Sequence, residues 1–159
     1  MIGGGNSALQ EALLLAEVCN KVTVVQNLPF FTGEKTLADA LMAKENVEVF
    51  FGHLVTGYET ANGTLTGVKL RSEETGEERS VKADGAFLAV GLAPQNEPFA
   101  DLTKLNDWGY FDSGEACTTP TAGLFVAGDC RSKTIRQVVT ASADGAVAAM
   151  AACRFLDSI

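Results

Sequence analysis

The stretch that decides the fold is Leu124-Phe125-Val126-Ala127-Gly128-Asp129, which is followed by Arg136-Gln137 and a long alanine-rich run. A short apolar run that ends in Gly-Asp is typical of a buried parallel strand whose carboxyl end faces a ligand. Gly128 lacks a Cβ atom and lets a ligand come close, and Asp129 offers an acceptor to a ligand hydroxyl. The alternative is that Asp129 only caps the next helix. The free N–H groups at that helix start favour a polar or anionic ligand.

A second glycine-rich turn, Met1-Ile2-Gly3-Gly4-Gly5-Asn6-Ser7-Ala8, opens the chain. Gly3, Gly5 and Ala8 fit the G-x-G-x-x-G/A pattern of dinucleotide-binding turns, in which glycines admit a pyrophosphate and a small third residue lets helix and strand pack closely. Ser7 and Gln10 have the spacing of a capping box, which predicts a helix over about 7–19. The predicted nucleotide contacts of this turn are Gly3, Gly5, Asn6, Ser7 and Ala8.

Composition places the chain among globular α/β proteins. It has 159 residues, of which 47% are hydrophobic and 16 are glycine, and this length suits one domain or two small lobes. The formal net charge of −8 argues against a nucleic-acid partner and against an anionic membrane surface. We find no apolar stretch approaching a membrane span and no secretory signal pattern, and therefore expect no membrane association and a cytoplasmic location.

The order of apolar runs and turns predicts a βαβαβ unit followed by a meander. The expected elements are strands over 21–26 and 47–51, a helix over 35–43, a hairpin joining 55–60 to 65–71, and a further strand over 80–83. The hairpin rests on Asn62-Gly63, a strong signal for a tight turn between strands. A buried strand over 86–90 then ends in Gly91. These patterns place a domain boundary after residue 86, giving domains over 1–86 and 87–159.

The four cysteines, Cys19, Cys117, Cys130 and Cys153, form no C-x-x-C pair. The spacing therefore predicts neither a zinc knuckle nor a dithiol active site within this chain. His53, the lone histidine, has no partner residue nearby in sequence, and we expect it to be structural.

Taken in order, these motifs resemble the low-molecular-weight thioredoxin reductase family of FAD- and pyridine-nucleotide-dependent enzymes. The resemblance covers essentially the whole chain. It is carried by the turn Gly3-Gly4-Gly5-Asn6-Ser7-Ala8, the stretch Phe87-Leu88-Ala89-Val90-Gly91-Leu92-Ala93-Pro94 with Asn96, the stretch from Thr118-Thr119-Pro120 through Gly128-Asp129, and Arg136-Gln137-Val138-Val139-Thr140.

The resemblance implies a Rossmann-like parallel sheet with an antiparallel β-meander, plus the carboxyl-terminal strand and helix of an FAD-binding domain. On this basis 1–86 is a pyridine-nucleotide-binding lobe and 87–159 is the carboxyl-terminal part of the FAD domain. Asp129 would bind the ribityl or pyrophosphate region of FAD, and Gln137 and Val138 would donate to the pyrimidine edge of the flavin. The implied contacts outside the first glycine turn are Gly91, Gly128, Asp129, Arg136, Gln137 and Val138.

Three departures from the family pattern shape the expected function. The amino-terminal FAD segment and the redox-active C-x-x-C are missing, so we expect a fragment that starts mid-strand and carries no catalytic residue of its own. The basic stretch that grips the 2′-phosphate of NADPH falls on Gln26-Asn27-Leu28 and Thr32, which leaves only Lys35 near it. No acidic residue ends the second strand to hold a ribose hydroxyl either. We therefore expect NADPH or NADH as the donor, with little preference for NADPH.

The leading interpretation is a fragment of a flavin-dependent thioredoxin reductase. In the parent enzyme, electrons would pass from NAD(P)H through FAD to a dithiol and then to thioredoxin or another disulfide acceptor. One alternative is a ferredoxin-dependent flavin thioredoxin reductase-like protein, and another is a non-catalytic nucleotide-binding or oligomerisation module. A flavin spectrum would favour the first two and a colourless stable dimer the third. We expect a homodimer that is inactive without its missing half.

Overall fold

The computed structural model describes residues 1–159 and has helices, a parallel sheet and an antiparallel sheet. The predicted α/β class is confirmed. The chain divides into two compact units, Met1–Gly91 and Leu92–Ile159. All five strands and two of the three helices belong to the first unit.

The first unit begins with a parallel βαβ arrangement. Its elements are α1 Asn6–Val18, β1 Val22–Gln26, α2 Lys35–Met42 and β2 Val47–Phe51. β1 and β2 pair in parallel, and Ile2 forms single parallel bridges to Val25 on one side and Leu88 on the other. Leu9, Val24 and Leu41 are fully buried in the core that joins the helices to this sheet, because the apolar faces of α1 and α2 must leave water.

A three-stranded antiparallel meander completes the first unit. Its strands are β3 His53–Ala61, β4 Thr64–Ser72 and β5 Glu78–Lys82, in that spatial order. The predicted hairpin turn is confirmed, since Asn62 and Gly63 both have positive φ, 51° and 78°, as a two-residue turn of this type requires. Val68 and Leu70 of β4 form a second small core with Val25, so the meander packs on the parallel strands.

Two expectations for the first unit are wrong. The capping box predicted at Ser7 does not form, because α1 begins at Asn6 with Gly5 as its N-cap and has no side-chain cap bond. The stretch 86–90 is not a buried strand. It pairs only with Ile2, and Phe87 and Val90 are 50% and 69% exposed, because no second neighbour in the described chain covers them.

The second unit is mostly irregular and ends in one long helix, α3 Val138–Leu156. The strand predicted over 124–127 is present only as an isolated bridge between Phe125 and Thr118, with one further backbone bond from the Val126 N–H to the Cys117 carbonyl at 3.0 Å. A β-strand needs a partner along its length, and two pairing positions are too few to form a ladder.

Helix α3 contradicts the expectation that no apolar stretch approaches the length of a membrane span. It is 19 residues long with a mean hydropathy of 1.2, so by length and composition it could cross a membrane, and only 6% of that window is buried. Much of its hydropathy comes from alanines, which add little apolar surface each. The helix also carries Asp144, which is buried and paired with Arg131. The expected absence of membrane association stays a prediction.

Candidate functional site

The amino-terminal glycine turn has a geometry that only glycine supports. Gly3 has a φ of +129°, and a Cβ atom there would lie 2.2 Å from the Ala89 carbonyl oxygen. The first helical bond of α1 runs from the Leu9 N–H to the Gly5 carbonyl at 3.0 Å. The N–H groups of Asn6, Ser7 and Ala8 therefore have no helical acceptor. This helix start offers backbone donors and the positive dipole end to an anionic group.

The loop after β1 is hydrogen-bonded to this turn. The Thr32 and Gly33 N–H groups both donate to the Gly4 carbonyl, at 2.9 and 3.0 Å. The Asn6 side chain accepts from the Glu34 N–H at 2.6 Å and donates to the Glu34 carboxylate at 3.0 Å. Asn6 thus holds the loop through its side chain and leaves only its backbone N–H to a ligand. Ser7 is exposed beside it, whereas Ala8 is fully buried and acts as the small packing residue of the motif.

A cavity of about 520 Å³ opens beside the turn within the first unit. Its walls come from the glycine turn, the end of β1, the following loop, the start of β3 and the stretch before Gly91. None of its lining residues is Lys, Arg, Asp or Glu. The predicted residues Gly3, Gly5 and Gly91 line it, and so does His53, whose Nδ1 donates to the Phe51 carbonyl at 2.6 Å.

In the second unit, Gly128 and Asp129 form a short 3-10 turn rather than the start of a helix. Gly128 has a φ of +82°, in the region that favours glycine. Asp129 is exposed and its carboxylate makes no hydrogen bond or ion pair. Helix α3 has Gln137 as its N-cap, in a capping box with Thr140. Asp129 is therefore not a cap, and its carboxylate is free to accept from a ligand.

A buried ion cluster anchors that turn to α3. One Asp144 oxygen accepts from the Gly128 N–H at 3.0 Å, from Arg131 Nε at 2.8 Å and from Lys133 Nζ at 2.7 Å. The other accepts from a terminal Arg131 nitrogen at 2.8 Å. Asp144 thus fixes both ends of the segment 128–133 against the helix. The geometry of the Gly128-Asp129 turn depends on it.

The electrostatics of this cluster follow from its two cations and one carboxylate. The Arg131 hydrogen bonds hold the pKa of Asp144 well below its usual range, and those from Lys133 and the Gly128 N–H act in the same direction. The bond to Asp144 raises the pKa of Arg131. Burial raises the pKa of the neighbouring Cys117 thiol. Asp144 is therefore ionised throughout the physiological range, and one positive charge of the cluster is not neutralised within it.

The predicted residues at the start of α3 have mixed surroundings. The Arg136 guanidinium lies over the Tyr110 ring, 4.1 Å from its centroid, and its Nε is buried without a hydrogen-bond partner. The Gln137 N–H donates to Thr140 Oγ1 at 3.2 Å, so it is not available to a ligand. Val138 is 84% exposed, and its backbone N–H lies in the first helical turn, where no helical acceptor exists.

Sequence reasoning missed two residues of these sites. Asp144 is the only acidic residue of α3, and a lone charge within an alanine-rich run is a signal of a buried partner. Gln26 ends β1, is 6% exposed and lines the cavity beside the glycine turn. A buried polar residue at the carboxyl end of a parallel strand is the corresponding signal there.

Comparison with known proteins identifies the family. The family model "Pyridine nucleotide-disulphide oxidoreductase" matches residues 1–145. The chain is 33% identical over 159 residues to a thioredoxin reductase of Bacillus subtilis and 38% identical over 160 residues to that of Rickettsia prowazekii. These alignments cover 100% and 99% of this chain but 50% and 52% of the relatives. The chain thus spans about half the length of the curated relatives it matches.

Solved structures give the same result. The Lactococcus lactis thioredoxin reductase in its FR conformation superposes with a TM-score of 0.88 at 28% identity, covering 99% of this chain and 52% of that one. The T. acidophilum thioredoxin reductase superposes with a TM-score of 0.83 at 32% identity, covering 99% of this chain and 51% of that one. The resemblance to thioredoxin reductases and the predicted fold class are confirmed. The chain belongs to the pyridine nucleotide-disulphide oxidoreductase family.

Proposed function

We propose that this chain is the pyridine-nucleotide-binding lobe and the carboxyl-terminal FAD segment of a flavin-dependent reductase of thioredoxin reductase type. In the overall reaction NAD(P)H, a proton and a disulfide would give NAD(P)⁺ and a dithiol. The acceptor would be thioredoxin or another disulfide protein. The observation that carries the proposal is the uncapped glycine turn at α1 together with the neutral cavity beside it.

The residues of the first unit fit a nicotinamide dinucleotide. The free N–H groups of Asn6 and Ser7 would hold the pyrophosphate, because backbone donors at a helix start bind such groups without needing a cation. Gly3, Gly5 and Gly91 leave room for it along the cavity wall. Asn6 and Glu34 keep the covering loop in place.

The residues of the second unit fit a flavin. Asp129 would accept from a hydroxyl of the ribityl chain, and Val138 would donate its backbone N–H to the flavin ring. Arg136 has an unpaired buried Nε and would contribute a donor and positive charge. When bound, FAD supplies the two-electron chemistry between nicotinamide and disulfide. The positive end of α3 would favour negative charge on the reduced ring.

Location and assembly belong to the same proposal. A cytoplasmic location is consistent with the four free cysteines, because thiols persist in reducing compartments. We expect a homodimer and no nucleic-acid partner. α3 leaves Val139 and Met150 exposed, at 74% and 56%, which supports burial of this helix in a larger assembly.

A chimera tests the function directly. The half of the B. subtilis thioredoxin reductase that this chain does not match is joined to residues 1–159. Flavin content and NAD(P)H-dependent reduction of thioredoxin are then measured. We expect a yellow protein with reductase activity above that of the B. subtilis half alone. A folded chimera that binds no flavin, or that binds flavin without accepting electrons from either nucleotide, would refute the proposal.

A further inference from the structure

We propose that Gln26 reads the adenosine ribose and that the first unit selects the nicotinamide dinucleotide lacking a 2′-phosphate, NADH over NADPH. The inference rests on the proposed function, because it names which donor that cavity takes.

Gln26 occupies the place where dinucleotide-binding folds read the ribose. It is the last residue of β1, about 20 residues past the glycine turn, where an acidic side chain usually accepts from the ribose 2′-hydroxyl. Its side chain lies against the turn: a Cβ atom at Gly4 would be 2.6 Å from the Gln26 amide carbon and nitrogen. The ribose position next to the pyrophosphate would therefore meet this amide.

The Gln26 amide is oriented by the protein and keeps one acceptor free. Its Nε2 donates to the Phe30 carbonyl at 3.3 Å, whereas no protein group donates to its Oε1. The residue is 6% exposed and lines the cavity. A carbonyl oxygen in this setting can accept from a ribose hydroxyl, but it repels phosphate oxygens, which carry no donor near neutral pH.

No cation compensates a phosphate in this cavity. The lysine that follows the loop after β1, Lys35, is bonded to Asp39 at 2.5 Å, is highly exposed and does not line the cavity. The Asn6 side chain holds a carboxylate, that of Glu34, beside the turn. A 2′-phosphate would add two negative charges to a site that offers backbone donors for the pyrophosphate only. Its hydration would be lost without an ion pair in return.

The test uses the 159-residue chain, since all residues involved lie in the first unit. NADH and NADPH are titrated by nicotinamide fluorescence, and ADP-ribose and its 2′-phosphate by calorimetry. We expect NADH to bind about tenfold more tightly than NADPH, because NADH makes a neutral hydrogen bond to Gln26 and does not bury an unpaired phosphate. Gln26→Met should weaken NADH about fivefold to tenfold and leave NADPH nearly unchanged. Gln10→Met, the same change at an exposed site on α1, should alter neither.

Thr32→Arg provides a test that does not disturb the buried amide. Thr32 is exposed and lines the same cavity, so an arginine there should raise NADPH affinity about tenfold through a bidentate phosphate contact. Tighter binding of NADPH than of NADH by the unaltered chain would overturn this inference without affecting the proposed function. An equal loss of affinity for both nucleotides in Gln26→Met would do the same. Failure to bind either nucleotide would overturn it together with the proposed donor. Selective NADH binding with an inactive chimera would refute only the reductase function.

Discussion

At the scale of single residues, two aspartates of the second unit have opposite surroundings. Asp129 is exposed and unpaired, whereas Asp144 is buried and accepts four hydrogen bonds from three residues. Removing a carboxylate without partners changes stability little, whereas removing one that pairs with two buried cations leaves those charges uncompensated and is strongly destabilising. The two residues should therefore respond differently to substitution.

Asp129→Ala should lower flavin affinity and leave stability unchanged. The side chain makes no contact within the chain, so its loss removes only a ligand acceptor. Flavin occupancy and melting temperature are recorded on the same sample of the chimera described above, with Asp107→Ala as a control at another exposed aspartate of the second unit. A lowered melting temperature with unchanged flavin content would return Asp129 to a structural role.

Asp144→Asn should destabilise the second unit by about 3 kcal/mol or more, because it leaves Arg131 and Lys133 buried without a counter-charge. Urea unfolding of the 159-residue chain measures this loss of stability. Asp157→Asn, an exposed aspartate at the end of the same helix, should change stability by less than about 0.5 kcal/mol.

Asp144→Asn should also change how the stability of the chain depends on pH. The pKa of Asp144 is lower in the folded chain than in the unfolded one, where it is about 3.9. Its stabilisation is therefore complete above about pH 4 and is lost as the pH falls towards the folded pKa. The native chain should lose stability in acid more steeply than Asp144→Asn. Equal slopes below pH 4 would show that the ion cluster does not form.

At the scale of secondary structure, α1 and α3 begin in different ways. α1 follows a glycine turn and has no side-chain cap, which leaves its N–H groups to a ligand. α3 has a capping box of Gln137 and Thr140, so part of its start is satisfied by the protein itself. Anion binding is therefore expected to be stronger at α1.

Gly145→Ala should stabilise α3 by up to about 1 kcal/mol, the difference in helix propensity between the two residues. A Cβ atom at Gly145 would meet nothing within 4 Å, so no clash opposes the gain. Thermal unfolding of the chain measures it, and Gly128→Ala, at a φ of +82°, should be destabilising in the same assay. A loss of stability in Gly145→Ala would mean that another surface packs on this glycine in solution.

At the scale of the whole molecule, the 159-residue chain should hold FAD weakly or not at all. The only flavin contacts it offers are those of the second unit, and it has no second glycine-rich helix start to receive the FAD pyrophosphate. The purified chain should be colourless after exhaustive dialysis and gel filtration in flavin-free buffer. A protein that stays yellow through both steps would contradict this.

The sequence by itself determined the local elements and the family. The β-branched run of β1, the Asn62-Gly63 turn and the glycine pattern at Gly3 act over a few residues. Their conformations therefore follow from steric and hydrogen-bonding preferences that the sequence displays directly. The class of fold and the resemblance to thioredoxin reductases could therefore be predicted. The failure of the capping box at Ser7 could not be predicted, because the glycine turn places the N-cap at Gly5, two residues earlier than the spacing of Ser7 and Gln10 suggests.

Only the tertiary structure decided which polar groups are buried and with what. Asp144 meets Arg131 and Lys133 across 13 and 11 positions of the chain, and Gln26 meets the turn at Gly4. The strand expected over 124–127 also failed for a non-local reason, since a ladder requires a partner strand that local sequence does not supply. Contacts between distant segments depend on how the elements pack, and burial turns an ordinary Asp or Gln into a group that must find a partner or a ligand.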